Sequence, residues 1–505
     1  MICVSIGRTR QKMVVLEHKS LAERGAKLVE LRVDWIDRTP DLATLITNRP
    51  TPVIVTVRRK EDRGRWCGTE EQRQTILRQA IVAGVEYVDL ELDIAKSIRR
   101  YGSTKRIISY HNFDETPVDL EAIHQQLAKL DPDIIKIVTM ANAPGDMTRM
   151  LQLVQQSSIP TAGFCMGELG MPSRVLCGKF GSPLTYATFS RDRELAPGQI
   201  PFDDMRDLYH YDDINAETRI LGVVGDPIAQ SLSPLIHNTA LRAAGINAVY
   251  VPFRIPQGTL AQSLTDLDPL GVQGFSVTIP HKEAAVAFAQ RSNSDVLAIG
   301  ASNTLVRNMI GGWEASNTDY EAILESVTLG LGSEDLDPSI LIGRKVVILG
   351  AGGAARAAAM AMTRNGAIVT ITSRTHKRAT ALADEMSCQH CSWENRGSLD
   401  PNILINCTPV GMHPNLDDSP YPANWLNPGM LVFDTVYNPE RTLLLKYAKQ
   451  RDCRVVTGIE MFVRQAARQF EKFTGQAASL EQMRETLRQA ISAVKINLNT
   501  SSDES

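Results

Sequence analysis

A single lysine interrupts the apolar run from Ile134 to Val138, which follows Pro132 and Asp133. Such a run is typical of a strand buried on both faces, where an ammonium is costly unless it is paired or neutral. Burial favours the neutral amine, which is the form that can attack a ketone and make an imine. Lys136 is therefore a candidate for covalent catalysis. The alternative is a structural lysine whose stem packs inward while its amine reaches solvent.

A glycine-rich loop marks a second place for chemistry. Gly350 and Gly352 follow the strand-like run Val346–Leu349 and precede a helical segment, Ala354–Met362, in which Ala355 takes the helix-packing position. Glycines in this context allow a tight turn and bring backbone close to a pyrophosphate at the helix N-terminus. The residues predicted to hold a dinucleotide here are Gly350, Ala351, Gly352, Gly353 and Ala354.

The strand after this loop indicates which dinucleotide binds. It covers Ile368–Thr372 and ends in Ser373, Arg374 and Thr375, without an acidic residue to hold a ribose 2′-hydroxyl. Arg374, with Arg378 one turn later, suits a 2′-phosphate, because guanidinium groups bind phosphate through paired N–H donors. We therefore predict NADP. The alternative is that both arginines are merely solvated.

Length and composition describe a chain of several folded domains. At 505 residues, 43% hydrophobic and 22% charged, it is long enough for about three or four domains with full cores. A net charge of -3 gives no indication of a nucleic-acid or membrane surface. We expect small-molecule partners, no nucleic acid and no membrane.

Cysteine usage and the N-terminus indicate the compartment. Eight cysteines are scattered without a small-domain disulfide pattern, which is typical of a reducing environment. The close pair Cys388 and Cys391 lacks a second ligand pair, so no metal is expected. The chain enters a strand-like segment without signal or transit composition, and no stretch of about twenty uncharged apolar residues follows. We expect a cytoplasmic protein.

Short apolar runs alternate with helical-period segments up to about residue 190, as in repeated βα units. Eight such runs predict an α/β fold with a closed (β/α)₈ barrel at the N-terminus. The runs are Cys3–Ile6, Leu28–Arg32, Val53–Val57, Tyr87–Leu92, Arg106–Tyr110, Ile134–Val138, Thr161–Phe164 and Leu184–Ala187. Barrel chemistry lies at the C-terminal ends of strands. The polar residues at or near those ends are Ser5, Glu30, Arg32, Arg58, His111 and Lys136. Their convergence favours the catalytic interpretation of Lys136.

Six motifs, in this order and spacing, resemble type I 3-dehydroquinate dehydratases over the first 200 residues. They are Glu30-Leu-Arg-Val-Asp34, Thr56-Val-Arg58, Ser109-Tyr-His-Asn-Phe113, Ile135-Lys136, Ser173-Arg174 with Phe180-Gly-Ser182, and Ala196-Pro-Gly-Gln199. The resemblance implies that Lys136 forms an imine with 3-dehydroquinate and that His111 is the general base and acid. An iminium acidifies the adjacent C–H, and histidine titrates near neutral pH.

The same resemblance implies the substrate contacts. Arg174 corresponds to a carboxylate clamp, and the positions for ring and hydroxyl contacts are Glu30, Arg32, Arg58 and Gln199, to which we add Ser5. Two positions depart from the family pattern. Asp62 replaces a glutamate whose implied role is to orient His111, and Leu195 replaces a serine that supplies a lid hydrogen bond.

The chain from about residue 219 to 490 resembles shikimate dehydrogenase. The motifs are Ser231-Leu-Ser233-Pro, Ser276-Val-Thr-Ile-Pro-His-Lys282, Gly300-Ala-Ser-Asn303-Thr, Asn317-Thr-Asp319, Asn406-Cys-Thr-Pro-Val-Gly-Met412, Asp434-Thr-Val-Tyr-Asn-Pro439 and Gly458-Ile-Glu-Met461 with Gln465. The resemblance implies that Lys282 and Asp319 are the catalytic pair. Implied substrate contacts are Ser231, Ser233, Thr278, Asn303, Tyr437 and Gln465, together with Asp319 itself. Further implied cofactor contacts are Ser373, Thr375, Thr408, Val436, Gly458 and Met461.

The resemblances imply the domain organisation. The polar segment 207–218 is the predicted linker between the barrel and a two-domain shikimate dehydrogenase-like region. The predicted divisions are a dehydratase barrel at 1–212, a substrate-binding domain at 219–326 completed by helices at about 457–495, a Rossmann domain for NADP at 340–456, and a disordered tail at 497–505.

Together the resemblances imply a bifunctional enzyme of the shikimate pathway. It would dehydrate 3-dehydroquinate to 3-dehydroshikimate and reduce that product to shikimate with NADPH, as plant enzymes do but without a transit peptide. One alternative is that the C-terminal half is a quinate dehydrogenase. Another is a regulator that binds pathway metabolites without turnover, although such a protein would be expected to lose catalytic residues, and all four of Lys136, His111, Lys282 and Asp319 are present.

Overall fold

The computed structural model describes residues 1–500, and for 493–500 only the helical backbone is described. The chain divides into two compact units. The first comprises 1–220, 247–255 and 262–272, and the second comprises the remainder. The boundary at residue 220 comes just after the predicted linker, 207–218. The finer division into a substrate-binding and a Rossmann domain stays a prediction.

The first unit contains a sheet of nine strands. They are β1 (Ile2–Ile6), β2 (Leu28–Arg32), β3 (Val53–Thr56), β4 (Tyr87–Glu91), β5 (Lys105–Asn112), β6 (Ile134–Met140), β7 (Thr161–Met166), β8 (Thr185–Thr188) and β9 (Ile200–Pro201). The helices between them are α1 (Gln11–Glu23), α2 (Leu42–Ile46), α3 (Glu70–Val82), α4 (Leu120–Ala128), α5 (Pro144–Gln156) and α6 (Gly167–Leu176). A strand is found at each of the eight predicted runs.

The strand order follows that of the predicted barrel. Strands β7 to β1 follow one another in descending order, and β8 pairs with the other side of β1. The pairs are parallel, as the connecting helices require. The ring centres of Phe164 on β7 and Tyr186 on β8 lie 5.9 Å apart, so side chains pack between these two strands. Because the strands are parallel, their polar C-terminal ends lie at one mouth of the barrel.

From residue 219 onward the strands form two further sheets. The first set is β10 (Arg219–Gly225), β11 (Ala248–Arg254), β12 (Val272–Val277), β13 (Arg291–Ser292), β14 (Thr304–Arg307) and β15 (Trp313–Ser316). The second set is β16 (Lys345–Leu349), β17 (Ile368–Ser373), β18 (Gln389–Ser392), β19 (Ile403–Asn406), β20 (Leu431–Asp434) and β21 (Arg454–Val456). In the first set β12, β14, β15 and β13 are neighbours in that order, with antiparallel pairs on both sides of β14.

The helices from residue 219 onward lie, along the chain, between or after the strands of these two sheets. They are α7 (Ser233–Ala243), α8 (Leu260–Asp266), α9 (Lys282–Phe288), α10 (Ser294–Ile299), α11 (Thr318–Gly330), α12 (Gly353–Arg364), α13 (His376–Glu385), α14 (Leu443–Gln450), α15 (Gly458–Thr474) and α16 (Leu480–Thr500). Helix α16 covers the first residues of the predicted tail at 497–505, and residues 501–505 lie outside the described part of the chain. Over that part, no helix combines the length and the apolarity that crossing a membrane requires.

The last sheet confirms the predicted Rossmann fold. Its strands are all parallel, in the order β18-β17-β16-β19-β20-β21. This is the doubly wound order that binds dinucleotides beyond the carboxyl end of the central strand. The helix that follows β16 is rich in alanine, and its residues Ala357, Ala358 and Ala359 are fully buried. Small side chains let α12 pack closely on the sheet. Because α12 begins just after β16 ends, its N-terminus lies at that carboxyl end.

Candidate active sites

Lys136 is buried and paired inside the barrel. Its Nζ atom lies 2.9 Å from Oδ2 of Asp89 and 3.6 Å from Oε1 of Glu30. The ring centre of Tyr186 lies 4.0 Å from the same nitrogen. The side chain is only 6% exposed, so the interpretation of a structural lysine with a solvated amine is wrong. The amine instead faces two carboxylates and an aromatic ring.

Both carboxylates beside Lys136 are held by short hydrogen bonds or by charge. Glu30 accepts from Ser5 Oγ at 2.6 Å and from Thr56 Oγ1 at 2.8 Å. Burial by itself raises the pKa of Asp89, but the charges of Arg58 and Lys136 hold that pKa far below its ordinary value. Asp89 therefore stays a carboxylate and carries a fixed negative charge beside the amine.

Arg58 connects these groups to a deeper ion pair. It donates to Asp89 Oδ1 and to Glu91 Oε1, both at 2.9 Å. Arg73, which is fully buried, donates to the other oxygen of Glu91 at 2.8 Å. Sequence reasoning placed β4 correctly but missed Asp89 and Glu91. Carboxylates at alternate positions of one strand share a face, and that spacing is the signal that would have found them.

His111 is a neutral base in this setting. Burial, reinforced by the positive charges of Arg58 and Lys136, holds the pKa of His111 well below its ordinary value. Its Nδ1 atom is buried and has no hydrogen-bond partner among the described residues. The ring stacks on Phe113 with centres 6.0 Å apart. A neutral imidazole with a free nitrogen can accept a proton from a substrate.

Asp62 lies close to His111 without binding it in this structure. Both residues line the same cavity, but the Asp62 carboxylate accepts from Arg59 Nε at 2.5 Å. The hydrogen bond to His111 that the family resemblance implies is absent among the described residues. The catalytic role of Asp62 stays a prediction, because its carboxylate is already engaged by the neighbouring arginine.

Arg174 is a buried cation without a carboxylate partner among the described residues. It is 1% exposed, and burial lowers its pKa to about 10, so the guanidinium is still charged at neutral pH. One nitrogen donates to the carbonyl of Pro197 at 3.2 Å, while Nε is buried and has no partner in the described chain. A buried positive charge with a free donor favours an anionic ligand.

One cavity contains the predicted dehydratase site. The nine residues predicted for it all line this cavity: Ser5, Glu30, Arg32, Arg58, Asp62, His111, Lys136, Arg174 and Gln199. Arg32 binds Asp34 through two hydrogen bonds of 2.9 and 2.8 Å. Gln199 accepts from the backbone N–H of Leu195 at 2.8 Å. This bond ties the segment with the unusual leucine to the glutamine at the cavity wall.

The second unit holds the other predicted pair, Lys282 with Asp319. The ammonium of Lys282, at the start of α9, donates to Oδ2 of Asp319. The carboxylate is 3% exposed and lies in the first turn of α11, where the helix N-terminus favours negative charge. Asn303 donates to its other oxygen at 2.9 Å. The pair is therefore fixed from both sides.

Asn303 belongs to a buried hydrogen-bond network that sequence reasoning found only in part. Its side-chain amide lies 3.4 Å from Gln465 Oε1, as expected for neighbouring substrate contacts. Gln469, which was missed, donates to the backbone carbonyl of Asn303 at 2.8 Å and accepts from Ser276 Oγ at 2.7 Å. Gln465 and Gln469 are one turn apart on α15, and this spacing is the signal that links them.

The other predicted substrate residues have local contacts. Ser231 Oγ accepts from the N–H of Ser233 at 3.3 Å, and the N–H of Thr278 donates to Val224 at 3.0 Å. The ring of Tyr437 packs on Phe462 with centres 4.2 Å apart. Ser233 and Thr278 make these bonds through their backbone, and none of the contacts identifies a ligand, so the roles of these residues stay predictions.

The glycine loop has the room that a dinucleotide needs. Gly350 has φ +116°, and a β-carbon there would lie 2.9 Å from the carbonyl oxygen of Cys407. A β-carbon on Gly352 would meet nothing within 4 Å, so open space lies in front of the α12 N-terminus. At Gly353 a β-carbon would come within 2.7 Å of the Cδ atom of Lys282. The loop thus offers an open anion site directly beside the second catalytic lysine.

The remaining cofactor residues border the same strand ends. Arg374 and Arg378 are exposed, and neither forms an ion pair within the described chain. They are available for a 2′-phosphate, and the loop with these two arginines fits NADP. Thr408 binds Asn406 at 2.7 Å, and a β-carbon on Gly458 would lie 2.3 Å from the Val436 carbonyl oxygen. Ala351, Ala354 and Ser373 are half-buried, Thr375 is exposed and Met461 is buried.

Family models match most of the chain in sequence order. The type I 3-dehydroquinase model matches residues 2–216, and the shikimate dehydrogenase substrate binding domain matches 223–305. The shikimate/quinate 5-dehydrogenase model matches 336–401, and the shikimate 5′-dehydrogenase C-terminal domain matches 458–488. The dehydratase motifs lie within the first of these ranges, and the dehydrogenase motifs at 231–234, 276–282, 300–304 and 458–465 lie within the others.

One relative is similar over nearly the whole chain, and others are similar over its C-terminal half. The chloroplastic bifunctional 3-dehydroquinate dehydratase/shikimate dehydrogenase of Arabidopsis thaliana is 37% identical over 503 residues, covering 95% of this chain and 83% of that protein. The NADP(+) shikimate dehydrogenase of Moorella thermoacetica is 37% identical over 55% of this chain and 96% of its own length. A crystal structure of a shikimate dehydrogenase in complex with NADP+ aligns with a TM-score of 0.51 at 32% identity, covering 55% of this chain and 97% of that one.

Proposed function

Because the chain belongs to the family of bifunctional 3-dehydroquinate dehydratases/shikimate dehydrogenases, we propose that its two sites act through the residues assembled in each unit. The chain is a lyase that converts 3-dehydroquinate to 3-dehydroshikimate, and an NADP-dependent oxidoreductase that reduces 3-dehydroshikimate to shikimate. One observation carries the proposed residue roles: a buried lysine, a neutral histidine and an unpaired arginine line a single cavity.

Lys136 forms the covalent intermediate of the dehydratase. Neutral His111 takes one proton from the Lys136 ammonium, and the resulting amine attacks the ketone carbon to form a carbinolamine. The imidazolium returns that proton to the carbinolamine hydroxyl, which leaves as water and gives the protonated imine, so no net proton is exchanged. Asp89 remains ionised and stabilises the positive charge on the nitrogen throughout. The positive imine then withdraws electrons from the adjacent carbon and acidifies its C–H bond.

His111 moves the proton in the elimination. Its neutral imidazole takes the proton from the carbon next to the imine, and the C–H electrons form an enamine. The imidazolium then gives the proton to the hydroxyl on the following carbon, which leaves as water while the enamine electrons form the new C=C bond. Water finally hydrolyses the imine and regenerates the Lys136 ammonium. The low pKa of His111 keeps the base ready at neutral pH.

Arg174 orients the substrate for these steps. Its buried guanidinium carries a charge with no carboxylate partner in the described chain, and its Nε donor is free. The substrate carboxylate supplies the missing anion and would accept hydrogen bonds from this fork. Glu30, Arg32 and Gln199 line the same cavity and provide polar contacts for the ring hydroxyls.

Lys282 is the proton donor of the dehydrogenase. NADPH, when bound, supplies the hydride that reduces the ketone of 3-dehydroshikimate. Lys282 gives a proton to the oxygen that becomes the new hydroxyl, while Asp319 holds the ammonium in place. Asn303 fixes Asp319 and, with Gln465, faces the substrate. Because Gly353 touches Lys282, the cofactor loop and the proton donor are neighbours.

Borohydride trapping tests the lysine assignment. Borohydride reduces an imine to a stable amine, so treatment with 3-dehydroquinate should inactivate the dehydratase and leave substrate mass on the peptide containing Lys136. The matched control is borohydride without substrate, which should leave activity and mass unchanged. Full inactivation with an unlabelled Lys136 peptide would show that the imine forms elsewhere.

The two sites should also fail separately, since each set of catalytic residues lies within one compact unit. Lys282→Ala should abolish NADPH oxidation with 3-dehydroshikimate and leave the dehydration of 3-dehydroquinate at its original rate. Loss of both activities in a folded variant would argue for one composite site. Turnover of quinate faster than shikimate by the unmodified chain would favour the quinate dehydrogenase alternative, and turnover of neither substrate would favour the metabolite sensor.

A cytoplasmic location is the remaining part of the proposal. All eight cysteines are free in the structure, which suits a reducing compartment. The Arabidopsis relative is named chloroplastic, so either the location differs among members of the family or this chain is organellar as well. Fractionation of cells that express the full chain, with both activities assayed in each fraction, decides between these outcomes.

A further inference from the structure

Tyr186 contacts the catalytic lysine through the face of its ring. The Nζ atom of Lys136 lies 4.0 Å from the ring centre, inside the distance at which a cation is attracted to an aromatic face. Tyr186 is 3% exposed and lines the cavity of the first site. Its hydroxyl is buried and has no hydrogen-bond partner among the described residues. The ring, and not the hydroxyl, is therefore the part of this side chain that meets the lysine.

We infer that the Tyr186 ring face is a catalytic contact of the dehydratase, which stabilises the positive nitrogen of Lys136 more in the iminium than in the ammonium. The inference rests on the proposed imine role of Lys136. It adds a residue that the motifs did not identify, and it assigns that residue to the stabilisation of a cation rather than to proton transfer.

The Lys136 nitrogen loses N–H donors when the imine forms, and this loss explains how contact with a ring can stabilise it. The ammonium has three N–H donors and can reach both Asp89, at 2.9 Å, and Glu30, at 3.6 Å. When the ammonium and the ketone become iminium and water, the nitrogen keeps one N–H and can donate to only one carboxylate. Attraction to a ring face needs no N–H donor, and a planar iminium can lie over the ring. The contact with Tyr186 therefore survives the step that removes hydrogen bonds.

The surroundings keep this ring neutral and in place. Burial, with the nearby carboxylate of Glu30, raises the pKa of Tyr186 well above its ordinary value, so the phenol does not ionise. The Phe164 ring packs beside it at 5.9 Å with a 49° tilt. Phe164 in turn lies under the guanidinium of Arg174, at 4.8 Å. Two adjacent rings thus contact two of the cations that line the cavity, Lys136 and Arg174.

A fluorination series tests the inference without changing the shape of the side chain. Tyr186 is replaced by phenylalanine and by its mono-, di- and trifluorinated forms, which withdraw electron density from the ring in steps. The rate of borohydride trapping at saturating 3-dehydroquinate is measured for each full-length protein. We expect Tyr186→Phe to stay within about twofold, and trapping to fall stepwise by roughly 3- to 30-fold from phenylalanine to the trifluorinated ring.

Each other outcome overturns the inference. A trifluorinated ring that traps as fast as phenylalanine would exclude the ring face. A loss at Tyr186→Phe equal to that of the trifluorinated form would assign the effect to the hydroxyl. If the unmodified protein carries no label on Lys136, the imine itself is wrong, and that failure is visible before any variant is made.

Tyr209 provides the matched control. It is a buried tyrosine of the same unit that does not line the cavity. The same trifluorinated replacement at position 209 should leave trapping unchanged, and NADPH oxidation in every variant reports the amount of intact chain. An equal loss of trapping at position 209 would mean that fluorination acts through packing, which would also overturn the inference.

Discussion

Oδ2 of Asp89 lies 2.9 Å from Nζ of Lys136, although β5 separates the strands that carry them. The other carboxylate oxygen accepts from Arg58 at 2.9 Å. One buried carboxylate therefore positions two cations of the cavity. Asp89 is a positioning residue: it acts on the substrate through Lys136 and Arg58.

Replacement of Asp89 by asparagine should separate this role from general packing. Asp89→Asn keeps the shape but leaves two buried cations without their shared counter-ion, so dehydratase turnover should fall more than tenfold, or about 1.4 kcal/mol of barrier. Trapping on Lys136 should slow in parallel, while NADPH oxidation stays normal. Asp93→Asn, at a half-exposed carboxylate in the same region, is the control and should change neither dehydratase turnover nor trapping. Unchanged trapping in a folded Asp89→Asn protein would refute the positioning role.

The pH below which the dehydratase loses activity should be unusually low. His111 must be neutral to accept a proton, and its pKa is held well below the ordinary value of about 6.5. As the pH falls through 6.5 the buried imidazole stays neutral, so kcat/KM should stay constant there and decline only at lower pH. A pH profile of kcat/KM measures this directly. A half-maximal point at or above 6.5 would show that His111 titrates normally or is not the base.

Asp62 should contribute little to the dehydratase. Its carboxylate binds Arg59, and His111 Nδ1 has no partner in the described chain, so Asp62→Asn should reduce turnover less than about tenfold. His111→Ala should abolish turnover in the same assay. A loss well beyond tenfold in Asp62→Asn, with borohydride trapping preserved, would restore the orienting role that the family pattern implies.

Cofactor preference tests the two exposed arginines. Arg374 and Arg378 are free to bind a 2′-phosphate, and charge-assisted contacts contribute roughly 1.5 to 3 kcal/mol each. Alanine at both positions should erase most of the preference for NADP over NAD, mainly through a higher KM for NADPH. Lys449→Ala removes an exposed charge of the same unit and should leave the preference intact. Equal use of NAD and NADP by the unmodified protein would contradict the assignment.

Local patterns predicted the barrel strands well because each pattern is short and regular. The run around Lys136 is apolar with one polar residue, and β6 covers it from Ile134 to Met140. The glycine loop was equally clear, because Gly350 and Gly352 come directly after a strand-like run and before a helical segment. Both signals lie within a few residues of the chain.

Contacts between distant strands could not be found in this way. Lys136 lies on β6 and Tyr186 on β8, and β7 and two helices intervene between them along the chain. No local pattern relates the two positions, because their side chains meet only when the barrel forms. The competition between Arg59 and His111 for the Asp62 carboxylate was missed for another reason. Its bond to Arg59 depends on the conformation of a short turn, about which the family pattern says nothing.

A substitution at Gly353 in the cofactor loop would affect the neighbouring Lys282 side chain. A methyl group there would come within 2.7 Å of the Cδ atom of Lys282. Because a lysine side chain is flexible and a helix backbone is not, the lysine would yield and draw its amine away from Asp319. The missing side chain at position 353 therefore protects proton delivery by Lys282, and a variant that fills this position should be slow in that step.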